Sequence, residues 1–471
     1  MRTLELSLSI AALLCAAWTF LPNPRKKNGL KFLIGAAVIL FILHLLLEGL
    51  RWQMTLVYLS LAVLSSGFVL QKAGLFKSAP HSRRTSILLK IVSVIFLIIT
   101  VLLLWLFPVH KMPVPGGPYK IGTISCEIND DDRLEIYGPA PGGPRRIKFQ
   151  LWYPADKIED GKLTKWMTGG RKVTTGIPKM YGVPDFVLAH TALINSNSYK
   201  GITVSEKEES FPLVIISHGW TGFMNLHSDL AEMLASNGFI AVSINHTYGA
   251  LVSVFDNGDV IYADPNALPD KNSVDNYTSY SRALVNTYAQ DTALVLNFLS
   301  GLNDKPGILE NKINMDALGV IGHSTGGGGV VQLAIGDARV KSVFGMDAWV
   351  EPIDQIILKK GLQVPSCFLR SEQWETGPNN DSLRQLFSSS KEVPDIYQIN
   401  GGNHQDFSML YMYDPMTRLT GSQGSLNSRV NASLQQDWVL TFFDNTLKDK
   451  WVDLNQLSEK YEAVVRVRDF K

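Results

Sequence analysis

The chain has 471 residues, with 44 Lys+Arg against 43 Asp+Glu. So even a balance gives no sign of a nucleic-acid partner, and the length excludes one small domain, implying two or three units. The mean hydropathy of +0.06 is high for a soluble protein, and the apolar excess sits in the first hundred or so residues.

Four apolar runs occupy that region, approximately Leu6–Leu21, Phe32–Leu47, Met54–Leu70 and Ile87–Phe107. Each approaches or reaches the ~17–25 residues of a membrane helix. None carries a polar stripe at helical spacing. Residues 1–107 therefore read as an all-α membrane domain of about four transmembrane helices. In the first run Leu13 and Leu14 before Cys15 make neither a small-residue cleavage site nor a lipobox. The first loop carries Arg25, Lys26, Lys27 and Lys31, and the third carries Lys72, Lys77, Arg83 and Arg84. The N-terminus offers only Arg2, and the second loop only Arg51, offset by Glu48. The positive-inside rule puts the first and third loops in the cytoplasm and both termini outside. The chain thus reads as a multi-pass protein of the cell membrane with an extracytoplasmic C-terminal domain. His44 and Lys90, within or beside the runs, read as structural, Lys90 snorkelling from its helix end.

Residues 108–118, with Pro113, Pro115, Gly116, Gly117 and Pro118, read as a linker to a second domain over 119–471. In that domain short apolar runs alternate with helical stretches. Strands are expected at 147–153, Leu213–Ser217, Phe239–Ile244, Leu318–Ile321, Val340–Met346, Ser366–Leu369 and Ile396–Ile399. Helices are expected at Ser228–Ser236, closed by Asn237-Gly238, and at Asp291–Leu299. Such alternation predicts a mostly parallel sheet with helices on both faces. Chemistry in such sheets sits at the carboxyl ends of the strands. Residues 157–205 and 251–282 break the pattern. They read either as ordinary loop packing or as a cap, with Trp166, Met167, Tyr181, Val183 and Phe186 lining an acyl or lipid-facing entrance. Cys15, Cys126 and Cys367 read as free thiols. No Cys/His pair has metal-ligand spacing, so neither metal nor other cofactor is expected.

Gly322-His323-Ser324-Thr325-Gly326 has the G-x-S-x-G pattern of a nucleophile elbow. The apolar run 317–321 supplies the strand before it, and Gly327, Gly328 and Gly329 lead into a helix. A serine hydroxyl needs a base, and the base an orienting acid. In this architecture the order is serine, acid, histidine. His404, just past the last expected strand, is the only histidine after Ser324. Asp347 and Glu372 each follow a strand and compete as the acid; pattern alone leaves both open. Asp406 is too close to His404 in sequence and reads as a loop-capping group. His323 is expected to point away from the chemistry, and His218 and His246 to shape the pocket. An oxyanion hole needs two backbone donors. Thr325 N–H is one, and Trp220 N–H, in Ser217-His218-Gly219-Trp220-Thr221-Gly222, is the other.

From Pro115 to about Phe443 the chain resembles the plasma/type II platelet-activating factor acetylhydrolases and their bacterial relatives, a family of α/β-hydrolases. The matching pieces are Gly117–Thr123, Trp152-Tyr153-Pro154, Ser217-His218-Gly219, Gly322–Gly327, Asp347-Ala348-Trp349 and His404–Phe407. The resemblance implies an α/β-hydrolase fold and makes Asp347 the triad acid, beside Ser324 and His404. It implies no metal, and a substrate class of phospholipids and related esters with short or oxidised acyl groups. The four apolar runs, Thr325 and Trp220 depart from the family pattern. Gly326–Gly329 is also similar to cutinase-like polyesterases. The expected partner is a lipid or small ester. The rival readings are a broad carboxylesterase or polyester hydrolase, and a membrane sensor carrying an inactive hydrolase domain.

Overall fold

The structure is a computed structural model that describes residues 2–18, 26–72, 83–139, 141–468 and 470. Helices α1 (Thr3–Trp18), α2 (Lys26–Leu47), α3 (Thr55–Lys72) and α4 (Arg83–Leu106) come first. Small and apolar side chains, among them Leu8, Ala11, Ala12, Ala37, Val57 and Leu104, form their common core. Polar side chains join four helix ends. Arg51 pairs with Glu5 at 2.8 Å and bonds the Phe107 carbonyl. His44 bridges Glu48 at 3.1 Å and the Tyr58 hydroxyl at 2.7 Å. The start of α1, the end of α2, the start of α3 and the end of α4 therefore meet on one side.

The expectation of four spans is corrected in one respect. Among the described residues only Gly29–Leu47, 19 residues with mean hydropathy 2.6, is long and apolar enough by itself to cross a membrane. The other apolar stretches are the shorter Thr3–Trp18, Trp52–Val63 and Val94–Leu106. α1, with 16 residues, falls short of a span by length, whereas α3 and α4 run on beyond these stretches, to Lys72 and from Arg83. The basic-loop argument rests mainly on residues 19–25 and 73–82 and on side chains near them. These, with the side chain of Lys90, lie outside the described residues.

After α4 the chain runs extended through 108–116. It lies on the second layer rather than dangling from it: Met112 is buried, His110 Nε2 bonds Asp414 O at 2.9 Å, and Asn197 donates to Pro113 O at 2.8 Å.

Among the described residues thirteen strands follow: β1 (Lys120–Leu134), β2 (Pro144–Ala155), β3 (Lys162–Lys165), β4 (Asn195–Lys200), β5 (Phe211–Ser217), β6 (Ile240–Asn245), β7 (Val252–Val254), β8 (Val260–Tyr262), β9 (Ile313–His323), β10 (Val340–Met346), β11 (Ser366–Ser371), β12 (Asp395–Ile399) and β13 (Val464–Arg466). Eleven form one mixed sheet in the order β13-β12-β11-β10-β9-β5-β6-β2-β1-β4-β3. The stretch from β12 to β6 is parallel throughout, and antiparallel strands flank it. Its strands are continuous apolar runs because both faces are covered. One face packs on helices Tyr277–Asn303 and Thr325–Gly336, the other on Ser228–Ser236 and Ser428–Leu447. The order β10-β9-β5 brings the ends of β5, β9 and β10, and hence residues 218–220, 324 and 347, to one edge of the sheet.

The two irregular stretches pack together beside that edge, around Trp166, Met167, Phe223, Leu251 and Tyr413. They hold β3, β4 and the β7–β8 ribbon, with short helical turns over 170–180 and 189–193. Trp166 and Met167 are core residues there, which corrects their expected place at an entrance. Cys15, Cys126 and Cys367 are free.

Candidate active site

β9 ends at His323, a helix starts at Thr325, and Ser324 alone makes the reversal, at φ 54° and ψ −121°. A non-glycine residue at such angles is strained and must be held by its surroundings. Here Ser324 N–H donates to Met346 O at 3.0 Å, and Ser324 O accepts from Trp349 N–H at 2.9 Å. The turn closes because its flanks lack side chains: a Cβ on Gly322 would lie 2.4 Å from Gly326 O.

Asp347 follows β10 directly, and its carboxylate is fully buried. Oδ1 accepts Ser371 N–H at 2.8 Å, and Oδ2 accepts the Ser371 hydroxyl at 2.6 Å. The same Oδ2 accepts from His404 Nδ1 at 2.9 Å. Because a carboxylate only accepts, Nδ1 carries the proton and Nε2 is left as the acceptor. Three further groups fix the imidazole. The Trp374 ring lies flat on it, centroids 4.4 Å apart and 5° from parallel. Gln373 Oε1 accepts His404 N–H at 2.9 Å. His323 Nε2 donates to His404 O at 3.0 Å.

Ser324 and His404 face one cavity of about 700 Å³. Neither Ser324 Oγ nor His404 Nε2 has a hydrogen-bond partner among the described residues, so the serine–imidazole link is open; catalytic hydrogen bonds often tighten only in the complex with substrate. Gly219, Trp220 and Thr221 form the cavity wall beside Ser324. Neither Trp220 N–H nor Thr325 N–H donates to an acceptor among the described residues. The lining also has an apolar part, with Ile177, Pro178, Met180, Tyr181, Val183 and Leu188. Of the expected entrance residues, Tyr181 and Val183 are there. Phe186 instead packs edge-on to Trp52, centroids 5.3 Å apart.

Glu372, the rival acid, accepts Gly401 N–H at 2.6 Å and makes no bond to the imidazole. Asp406 accepts from Asn403 and Gly424 N–H at 2.9 and 3.0 Å, capping the loop that carries His404. His323 departs from expectation: it grips the His404 backbone. Burial, with the nearby His404, holds its ring well below the usual histidine range, so it works as a neutral donor. Burial likewise lowers His227, beneath the cavity, to about 4. Ser371, Gln373 and Trp374 were not singled out from the sequence. The available signal was position: they lie at and just past the end of β11, the strand next to the one that Asp347 follows.

Residues 106–464 match the family of platelet-activating factor acetylhydrolase, isoform II. The chain belongs to that family. It is an ester hydrolase of the platelet-activating factor acetylhydrolase, isoform II, type. Among its relatives, the platelet-activating factor acetylhydrolase of Canis lupus familiaris is 27% identical over 323 residues, 63% of this chain and 68% of that one. The Bos taurus protein of the same name is 26% identical over 385 residues, 73% and 80% of the two chains. The probable 1-alkyl-2-acetylglycerophosphocholine esterase of Arthroderma benhamiae is 22% identical, over 63% and 76%. In fold, the chain is similar to a ferulic acid esterase from Streptomyces cinnamoneus, with TM-score 0.61, 20% identity, and coverage of 76% of this chain and all of that one. The family match begins at the end of α4, so the four N-terminal helices lie almost wholly outside this acetylhydrolase family's shared region.

Proposed function

We propose that the chain is a membrane-anchored serine hydrolase of lipid esters. Ser324 attacks the ester carbonyl while His404 Nε2 takes its proton. Asp347 holds the imidazole in the Nδ1–H tautomer and stabilises its cation. Trp220 and Thr325 N–H groups receive the developing oxyanion. His404 then protonates the leaving alcohol and activates the water that clears the acyl-serine. The observation that carries this reading is the buried 2.9 Å Asp347–His404 bond facing the same cavity as the strained Ser324. The apolar wall at Met180, Tyr181 and Val183 supports an acyl chain as the bound group. The expected substrates are phospholipids and related lipids with short or oxidised acyl groups. The cavity is larger than an acetyl group needs, which favours a second reading, a carboxylesterase of broad acyl scope.

Membrane anchoring draws support from the outer surface of α1–α4. Ile39, Leu46, Leu47, Val63 and Ile98 are all more than 60% exposed. Apolar surface on that scale needs a lipid or protein cover. With the converging helix ends outside, the second domain, over 119–471, is extracytoplasmic and the cavity lies close to the membrane surface. Trp52 Nε1 donates to Val187 O at 3.1 Å, tying the helix ends to the cavity wall.

The test is hydrolysis of a p-nitrophenyl ester series, from acetyl to long acyl, by the full chain in detergent beside Ser324→Ala. We expect the substitution to lower kcat by about 10⁴-fold or more. Equal activity of the two proteins would sink the reading. A flat profile across acyl length would favour the broad carboxylesterase.

A further inference from the structure

We propose that His218 is a positioning residue for the oxyanion hole, holding the Gly219–Trp220 peptide with its carbonyl turned away from the cavity. The inference rests on the hydrolase reading above, with Ser324 as nucleophile.

His218 follows β5 and is wholly buried. Its ring nitrogens have fixed roles. Nε2 lies 3.2 Å from His246 N–H, which can only donate, so Nε2 accepts. In a neutral ring Nδ1 then carries the proton, and it donates to Gly219 O at 2.7 Å. Burial, with His246 nearby, keeps the ring neutral, well below the usual histidine range. Gly219 O also accepts Gly222 N–H at 2.9 Å. Both lone-pair sites of that carbonyl are thus occupied, by His218 and Gly222.

A trans peptide places its C=O and N–H on opposite sides. Pinning the Gly219 carbonyl toward His218 therefore aims Trp220 N–H the other way, at the cavity. The peptide sits hard against the elbow: a Cβ on Gly219 would lie 2.9 Å from Ser324 Cβ. The reverse peptide orientation would turn a carbonyl oxygen, not a donor, toward the developing charge. The support extends outward. His246, whose backbone holds His218, is itself bonded to Ser217 Oγ at 2.8 Å and Asp291 at 3.0 Å.

The test compares His218→Asn with His218→Gln in the full chain. An Asn amide nitrogen falls near the place of imidazole Nδ1 and keeps the donor to Gly219 O. A Gln amide reaches toward Nε2 and loses that donor. We expect His218→Asn to keep kcat within about threefold, and His218→Gln to lower it about 10²-fold, the scale of a lost oxyanion donor. KM should stay within about threefold in both, and fluorophosphonate labelling should slow in parallel with kcat. Equal kcat in the two variants, whether both near the parent or both low, overturns the proposal. Ser324→Ala separates the two claims. If activity survives it, the hydrolase reading falls; if it abolishes activity while the His218 variants match, only this inference falls.

Discussion

Two Ser–His–Asp sets lie close to the central strands, and one of them is hydrogen-bonded throughout. In one, Ser217 Oγ–H donates to His246 Nε2 at 2.8 Å and His246 Nδ1–H to Asp291 at 3.0 Å. In the other, His404 meets Asp347 at 2.9 Å while Ser324 stands apart. By residue type and bond length the first is the more complete. It is also sealed. Ser217, His246 and Asp291 have no exposed surface, and Ser217 sits in regular strand. Asp291 is clasped by Arg145 through bonds of 2.7 and 2.6 Å. Burial alone would raise its pKa, but the Arg145 charge drives it well below the usual carboxylate range. No arginine or lysine bonds Asp347 among the described residues; its carboxylate has a hydroxyl, an N–H and the imidazole. In the sealed set the aspartate's charge is already answered by arginine, so it gains little from an imidazolium. In the open set it remains for His404. Reactivity follows from strain at the serine, access to a cavity and an unneutralised acid, rather than from three residue types in contact.

The largest effect should separate the two aspartates. Asp347→Asn keeps the shape but favours the wrong imidazole tautomer, so kcat should fall about 10⁴-fold with little change in the melting midpoint. Asp291→Asn should do the reverse. It leaves Arg145 without its main partner, and breaking a buried pair costs about 3–5 kcal/mol. Its signature is a lower midpoint, with kcat of the surviving folded fraction within about threefold. Kinetics and thermal unfolding on the same preparations check both. A catalytic collapse in Asp291→Asn without destabilisation would break the contrast. Ser371→Ala comes next. It removes the 2.6 Å bond to Asp347 Oδ2, and a bond to a charged group is worth about 1.5–3 kcal/mol. A fall in kcat of about tenfold, with KM steady, is expected from steady-state assays.

How much of this was legible beforehand follows from range. The elbow is local: strand, serine and glycines are contiguous in Gly322–Gly326, so sequence shows it directly. β5, β6 and β10 are buried on both faces and read as plain apolar runs. Pattern alone leaves the acid open between Asp347 and Glu372 because both follow strands, and the resemblance is what points to Asp347. Only the adjacency of β10 and β11 lets Ser371 reach Asp347 while Glu372 turns to Gly401. The Trp374 stack on His404 and the His323 grip are likewise long-range. β1 reads as strand-like around Cys126, but its length is hidden because Asn129-Asp130-Asp131-Asp132 disfavours strand; pairing with β2 overrides that, as in Asn129↔Arg146 and Asp130↔Arg145. The apolar runs at the N-terminus were legible as helices. The polar contacts that join their ends were not, because Glu5 and Arg51 lie 46 residues apart.

The smallest effect concerns acid, and it sharpens the contrast from the side of stability. The rings of His218, His246, His227 and His323 are buried, and burial lowers each from the usual histidine pKa of 6.5. Unfolded, they would take up protons near 6.5; folded, they resist until lower pH. Between those values the unfolded chain binds more protons, so stability rises with pH and is lost as pH falls below about 6.5. For His227, lowered to about 4, the loss by pH 5 is on the order of 2 kcal/mol. Asp291 acts later in the same direction: its depressed pKa contributes stability above about 3.9 that is lost as pH falls further. The melting midpoint should therefore drop by several degrees from pH 7 to pH 5. His246→Asn keeps a donor toward Asp291 but has no group to titrate. It should lower the midpoint at pH 7, through the lost Ser217 bond, and flatten the decline below it. Melting curves of both proteins across pH 5–8 decide the point: an unchanged slope would mean that His246 charges freely in the folded state, and that the sealed set is not sealed against protons.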